Sequence, residues 1–132
     1  MFISKEASAI LDKIIACANN ETHVKIDKAE GTYMPVIFER LADVEIQNLG
    51  ICKHYSIAHY YEQNGDLMAD PEMCILEVCS GHRIAYYFRQ DGTGTEITAI
   101  GFKNGRQIMP LINDSNEFFN VWMQNIEFQQ GL

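Results

Sequence analysis

The chain has 132 residues, of which 47% are hydrophobic and 21% charged, the make-up of one ordinary globular domain that can build a core without disulfide or metal staples. Its formal net charge of -8 speaks against a nucleic-acid backbone as the main partner, because phosphate affinity comes from clustered Lys and Arg. No apolar run approaches the roughly 20 residues of a membrane span, and the first residues run into a charged amphipathic pattern without a signal-peptide core, so the expected location is the cytoplasm.

The first predicted element is a helix over residues 4–19, with Ala7, Ile10, Leu11, Ile14, Ile15 and Ala18 on one apolar stripe. Ser4 is its expected N-cap, and Asn19 with Asn20 its stop. The period then changes to that of strands: residues 33–41, 55–63, 73–79, 84–90 and 95–102 are β-branched and aromatic runs between turn residues, with 24–27 a weaker strand. Residues 43–51 fit strand or loop. Turns are expected at Ser80 and Gly81, over residues 91–94, and at Asn104 and Gly105, a pair suited to the positive φ of a type I′ hairpin.

A closing helix is expected after Asp114, Ser115, Asn116 and Glu117, whose spacing is that of a capping box. Phe118, Val121, Trp122 and Ile126 form its stripe, with Phe119 and Met123 widening the apolar face so that it lies across a sheet. The predicted fold is therefore α+β, a single domain over residues 1–132: a curved antiparallel β-meander of about five to seven strands carrying an N-terminal and a C-terminal helix. Cys17, Cys52, Cys74 and Cys79 contain no C-x-x-C pair and read as reduced, mostly buried thiols.

The densest polar stretch is residues 59–73. It holds His59, Tyr61, Glu62, Asn64, Asp66, Asp70 and Glu72, and its expected place is a strand-to-strand connection that gathers the carboxylates near one end of the sheet. Between Lys53 and Arg83 there is no Lys or Arg, while Glu62, Asp66, Asp70, Glu72 and Glu77 all fall there. Turn chemistry alone explains such a cluster, with Asn64 and Asp66 shaping the turn and Leu67 and Met68 plugging the core. The functional reading is an interaction or ligand site. A calcium-loop template fails because Met68 takes a ligand place, Ala69 replaces the turn glycine and Ile75 the closing acid.

The run from His59 to Met68 (HYYEQNGDLM), followed by Asp70, Pro71, Glu72 and Met73, closely resembles an uncharacterised family of small bacterial domains. The resemblance covers roughly residues 33–92. It implies a bacterial, cytoplasmic domain of unknown function with a link to mobile genetic elements, and it supplies no functional residues.

Other chemistry finds little support in the residues. His54 and His59, and likewise Cys74 and Cys79, are five apart, an odd spacing that points them to opposite faces of a strand. His23 and His82 sit beside turns, on the surface. No G-x-S-x-G elbow or phosphate loop is present, and no metal or cofactor is expected. In each of the pairs Tyr60/Tyr61 and Tyr86/Tyr87, alternation places one ring toward the core and one outward. The leading expectation is a non-enzymatic accessory domain that contacts another protein through an acidic, tyrosine-bearing sheet end. The alternative is a metal-dependent hydrolase or nuclease using His59, Glu62, Asp66, Asp70 and Glu72.

Overall fold

In the computed structural model, residues 2–29, 31–47, 49–101, 106–107 and 109–132 are described, side chains excepted for 100–101, 106–107 and 109–113. The N-terminal helix α1 (Lys5–Cys17) starts where the sequence places its cap: Ser4 Oγ accepts from the Ala7 N–H at 3.1 Å, satisfying one of the amides a helix start leaves open. Ala7, Ile10, Leu11 and Ile14 are its buried stripe, and Asn19 and Asn20, at φ 49° and 69°, turn the chain out of the helix.

Six strands follow, β1 (His23–Ile26), β2 (Val36–Ile46), β3 (Gly50–Gln63), β4 (Asp66–Glu77), β5 (Arg83–Gln90) and β6 (Thr95–Thr98). They pair antiparallel in sequence order, so the sheet is the expected meander. A separate two-stranded pairing joins β7 (Ile100–Gly101) to β8 (Arg106–Gln107). The residues 43–51 divide between the end of β2 and the start of β3. The turn expected at Asn104 and Gly105 lies outside the described residues.

Several boundaries depart from the sequence reading: β2 and β3 extend to Ile46 and back to Gly50, the run expected over 95–102 divides between β6 and β7, and two further shifts have a local cause. The strand expected from residue 73 begins at Asp66, because Asn64 and Gly65 alone make the turn, with φ of 54° and 85° and Gln63 opposite Asp66; positive φ at both central positions is the signature of a tight hairpin. The closing helix α2 (Met109–Gln130) starts ahead of the capping-box spacing at Asp114. Pro110 in its first turn lacks an N–H that a helix start leaves unpaired anyway.

Both helices cover the same face of the sheet. Val36, Phe38, Tyr55, Ile57, Met73, Ile75 and Ala85 meet Leu11 and Ile14 of α1 and Phe119, Trp122, Met123 and Ile126 of α2 in one core cluster. The buried stripe of α2 is therefore rotated by a residue from the expected one, and Phe118 and Val121 are exposed. A smaller cluster on the opposite face gathers Ile46, Cys52, Leu76, Ile84, Tyr86 and Ala99.

Arg83 fastens α1 to this scaffold. Its buried guanidinium donates to Glu77 Oε1 at 2.8 Å, to the Ser8 carbonyl and Ser8 Oγ, both at 2.9 Å, and to Asp12 Oδ1 at 2.7 Å. Glu77 is itself mostly buried, whereas Asp12 is 64% exposed. Arg83→Ala is expected to lower the unfolding free energy by about 3 kcal/mol, the low end for breaking a buried pair, because the mostly buried Glu77 keeps only the exposed Lys53 at 3.7 Å. Asp12→Asn should cost less than about 1 kcal/mol, the range of exposed pairs. Urea denaturation of the two variants measures the difference.

Candidate functional site

The face of the sheet turned away from α1 and α2 carries the polar groups that the core excludes. Its register sets Lys25, Ile37, Ala58, Glu72, Arg89 and Glu96 in one row across the six strands, and His23, Glu39, Ser56, Cys74, Tyr87 and Thr98 in the next. The small Ala58 and Ser56 hold the β3 positions of these rows and are buried beneath their neighbours on this face. At its β1–β2 side lies a cavity of about 470 Å³ lined by His23, Lys25, Pro35, Ile37, Glu39, Tyr60, Leu67 and Arg89. A second hollow of about 320 Å³ lies over Glu72, Cys74, Tyr86, Tyr87 and Thr98.

Glu72 is the hub between the two. Arg89 Nη2 stands 3.1 Å from Glu72 Oε2, and the Tyr60 hydroxyl donates to the same oxygen across 3.4 Å. Arg89 Nε lies 3.3 Å from Asp91 Oδ1, off the line of a hydrogen bond. Asp91 Oδ2 meanwhile accepts from the Ala69 N–H at 2.7 Å, capping β4 where the β5 pairing has ended. Burial, then Glu72 and Glu39, push the Tyr60 hydroxyl up to about 12 against the opposing pull of Arg89.

Beyond Glu72 this face carries a chain of buried and half-buried polar groups. His54 Nε2 is hydrogen-bonded to the Tyr86 hydroxyl at 2.7 Å. Burial lowers the His54 pKa, opposed by its bond to the Ala42 backbone; the neutral ring can then donate to that carbonyl while Nε2 accepts from Tyr86. Burial and the nearby Glu72 push the Cys74 thiol up to about 12, and burial and Cys74 likewise raise Tyr86. The Cys74 thiol and the Tyr86 hydroxyl stay protonated at neutral pH, which makes Cys74 a poor nucleophile.

A family model matches residues 5–132. The chain belongs to the family described as Domain of unknown function (DUF6908). No curated protein and no solved structure matches it. The match bears out the expectation of a domain of unknown function, and it runs well beyond residues 33–92.

In this DUF6908 chain the seven residues singled out between 59 and 73 do not form one site. His59 is buried on the helix side, where its Nδ1–H donates to the Pro35 carbonyl at 3.0 Å and its ring meets Trp122 edge-on at 5.4 Å. Asp70 Oδ1 accepts from Gln90 Nε2 at 2.9 Å, whereas Glu72 serves Arg89 and Tyr60. A bulge between the Ala58 and Tyr60 pairings puts the extra residue on β4, at the cis Asp70–Pro71 peptide. Tyr61 packs its hydroxyl against Gly92, where an added Cβ would come within 3.1 Å. Glu62, Asn64 and Asp66 are exposed at the hairpin tip.

The carboxylates expected at one sheet end are thus spread along β3 and β4, because the connection is a two-residue turn and not a loop. Among the described residues no group of three or more His, Cys, Asp or Glu side chains is placed to hold a metal ion, and the hydrolase constellation is not assembled. Only Glu72 belongs to the open-face groove. Its other members, Glu39, Tyr60 and Arg89, lie on three strands and share no local motif. Alternation also fails at Tyr86 and Tyr87: a bulge between the Cys74 and Ile75 pairings brings both rings to the open-face cluster, 6.3 Å apart.

His59 gives this arrangement a pH signature. Burial lowers its pKa from 6.5, with the Pro35 bond and Asp70 opposing, so the folded chain holds a neutral ring that the unfolded chain protonates more readily. The stability it contributes is full above about pH 6.5 and is lost as pH falls from there toward the lowered folded value. Unfolding free energy should therefore drop as the pH falls through about 6.5. In His59→Gln the drop should be smaller but not absent, since His54 is lowered in the same direction.

Proposed function

We propose that this domain is a non-enzymatic accessory module of the cytoplasm that binds another protein through the open face of its sheet. The observation that carries the reading is the one-sided cover. Both helices pack on one face, while the other presents a groove with half-buried tyrosine, arginine and carboxylate groups. Tyr60 and Tyr87 each place an aromatic body in the groove region and a hydroxyl on a carboxylate, Glu72 and Glu96 respectively. Tyrosine and arginine are enriched at protein interfaces for this combination of contact area and directed hydrogen bonding.

The chemistry on this face supports binding over catalysis, because its thiol and phenols are held protonated and Glu72, Asp91 and Glu96 are already engaged by partners. The resemblance at residues 59–73 extends the proposal to a bacterial domain whose partner serves a mobile genetic element. The acidic balance of -8 favours a protein partner over nucleic acid.

Two exposed apolar residues separate this face from the other. Leu67, 65% exposed, borders the groove, and Phe128, 80% exposed, stands on α2. In affinity capture from the host, a partner enriched by wild type should be retained by Phe128→Glu and lost by Leu67→Glu. Loss with Phe128→Glu and retention with Leu67→Glu would move the interface to the helices and end the open-face reading.

A further inference from the structure

The charges around the groove are not equivalent. Glu72, Asp91 and Glu96 each have a partner, and Arg89 is divided between Glu72 and Asp91. Glu39 is half-buried, lines the cavity beside Tyr60, and among the described residues makes no hydrogen bond or ion pair. Its cross-strand neighbours are His23 and Ser56. Lys25 stands one row away opposite Ile37, exposed and without an ion pair among the described residues.

With His23, Lys25 and Arg89 on its rim, the cavity could be read as an anion site. The electrostatics around Tyr60 oppose that reading. Burial is the first cause that holds its hydroxyl protonated, and Glu72 and Glu39 follow, outweighing Arg89. Burial resists a charge of either sign, but Glu72 and Glu39 together outweigh Arg89 here, and that negative local field disfavours a phosphate and favours a cation. The ring of Tyr60 offers a cation–π face, and Ile37 and Leu67 offer apolar walls for a long aliphatic stem.

We propose that the corner formed by Glu39 and Tyr60 takes a Lys or Arg side chain from an extended segment of the partner protein. The proposal rests on the open-face reading above and names what that face recognises. The charged head pairs with Glu39 over the Tyr60 ring, and the stem lies against Ile37 and Leu67. Lys25 acts against it, by competing for Glu39 and by repelling the incoming charge.

The probe is N-acetyl-arginine amide, titrated into the ¹⁵N-labelled full chain, with the uncharged N-acetyl-norleucine amide as control. The arginine amide should shift the backbone amides of Ile37, Glu39 and Tyr60 with millimolar affinity, and the control should not. Glu39→Gln should weaken binding about tenfold and Tyr60→Ala about fivefold, while Tyr60→Phe, which keeps the ring, stays within about twofold. Lys25→Ala, at an exposed position that leaves the fold intact, should tighten binding about twofold to threefold.

Equal shifts from the control, unchanged affinity in Glu39→Gln, or weaker binding in Lys25→Ala would each overturn the proposal. No shift with the arginine amide, in a domain whose partner capture still fails with Leu67→Glu, would overturn this inference alone and leave the open-face reading standing. Arginine-amide binding that depends on Glu39, with capture indifferent to Leu67→Glu, would support the corner and remove the partner role.

Discussion

One-sided burial is the constraint from which the rest of the structure follows. A six-stranded meander has two faces, and both helices are docked on one of them. Residues such as Phe38, Ile57, Ile75 and Phe119 are fully buried there, each side chain contributing about 1.5–3 kcal/mol relative to exposure. The opposite face must then limit its own exposed apolar surface. It does so by compact packing around Leu76 and Tyr86 at one end, and by polar side chains that pair across strands at the other.

The docking of the helices is specified by polar groups as much as by apolar ones. β6 pairs with β5 only as far as Tyr87, which leaves the Ala85 N–H for Asn116 Oδ1 of α2 at 2.8 Å. One turn on, Asn120 Oδ1 accepts from the Ser4 N–H at 2.8 Å, and near the end of α2 Gln130 accepts from Lys28 and donates to Met34. Each contact satisfies a backbone group with no strand or helix partner, and leaving such a group unpaired when buried costs about 1–3 kcal/mol. The helix is thereby fixed in rotation as well as in position. This accounts for the burial of Phe119 and Met123 in place of Phe118 and Val121.

Local order was largely legible in the residues: the Ser4 cap, the α1 stripe, the separate strands and their sequential antiparallel pairing all follow from period and turn chemistry. The open-face groove was not. Glu39, Tyr60, Glu72 and Arg89 belong to four different strands, and what unites them is register, which tight turns and bulges set. Each bulge reverses the alternation from which faces are read. The irregularity on β4 sends Asp70 to Gln90 while Glu72 turns to Arg89, and the one on β5 keeps both Tyr86 and Tyr87 with the same cluster. A single sequence marks neither bulge, since the same alternating residues fit an unbroken strand.

Charge shows the same gap between order in the chain and order in space. Residues 51–80 hold five carboxylates and only Lys53 as a cation, which along the sequence resembles a concentrated acidic patch. In the fold, Glu77 is neutralised by Arg83 and Lys53, Glu72 by Arg89, and Asp70 is bonded to Gln90. Only Glu62 and Asp66 stay exposed at the hairpin tip. The half-buried carboxylate lining the groove cavity, without a hydrogen bond or ion pair among the described residues, is Glu39, outside that segment altogether. At physiological salt, exposed charges are screened beyond about 8 Å, so the net -8 of the chain can bias encounter with a basic partner but cannot choose where it binds. Under the proposed reading that choice falls to groups that are held in place and partly shielded from water, such as those that the register of β1, β2 and β3 places on this face.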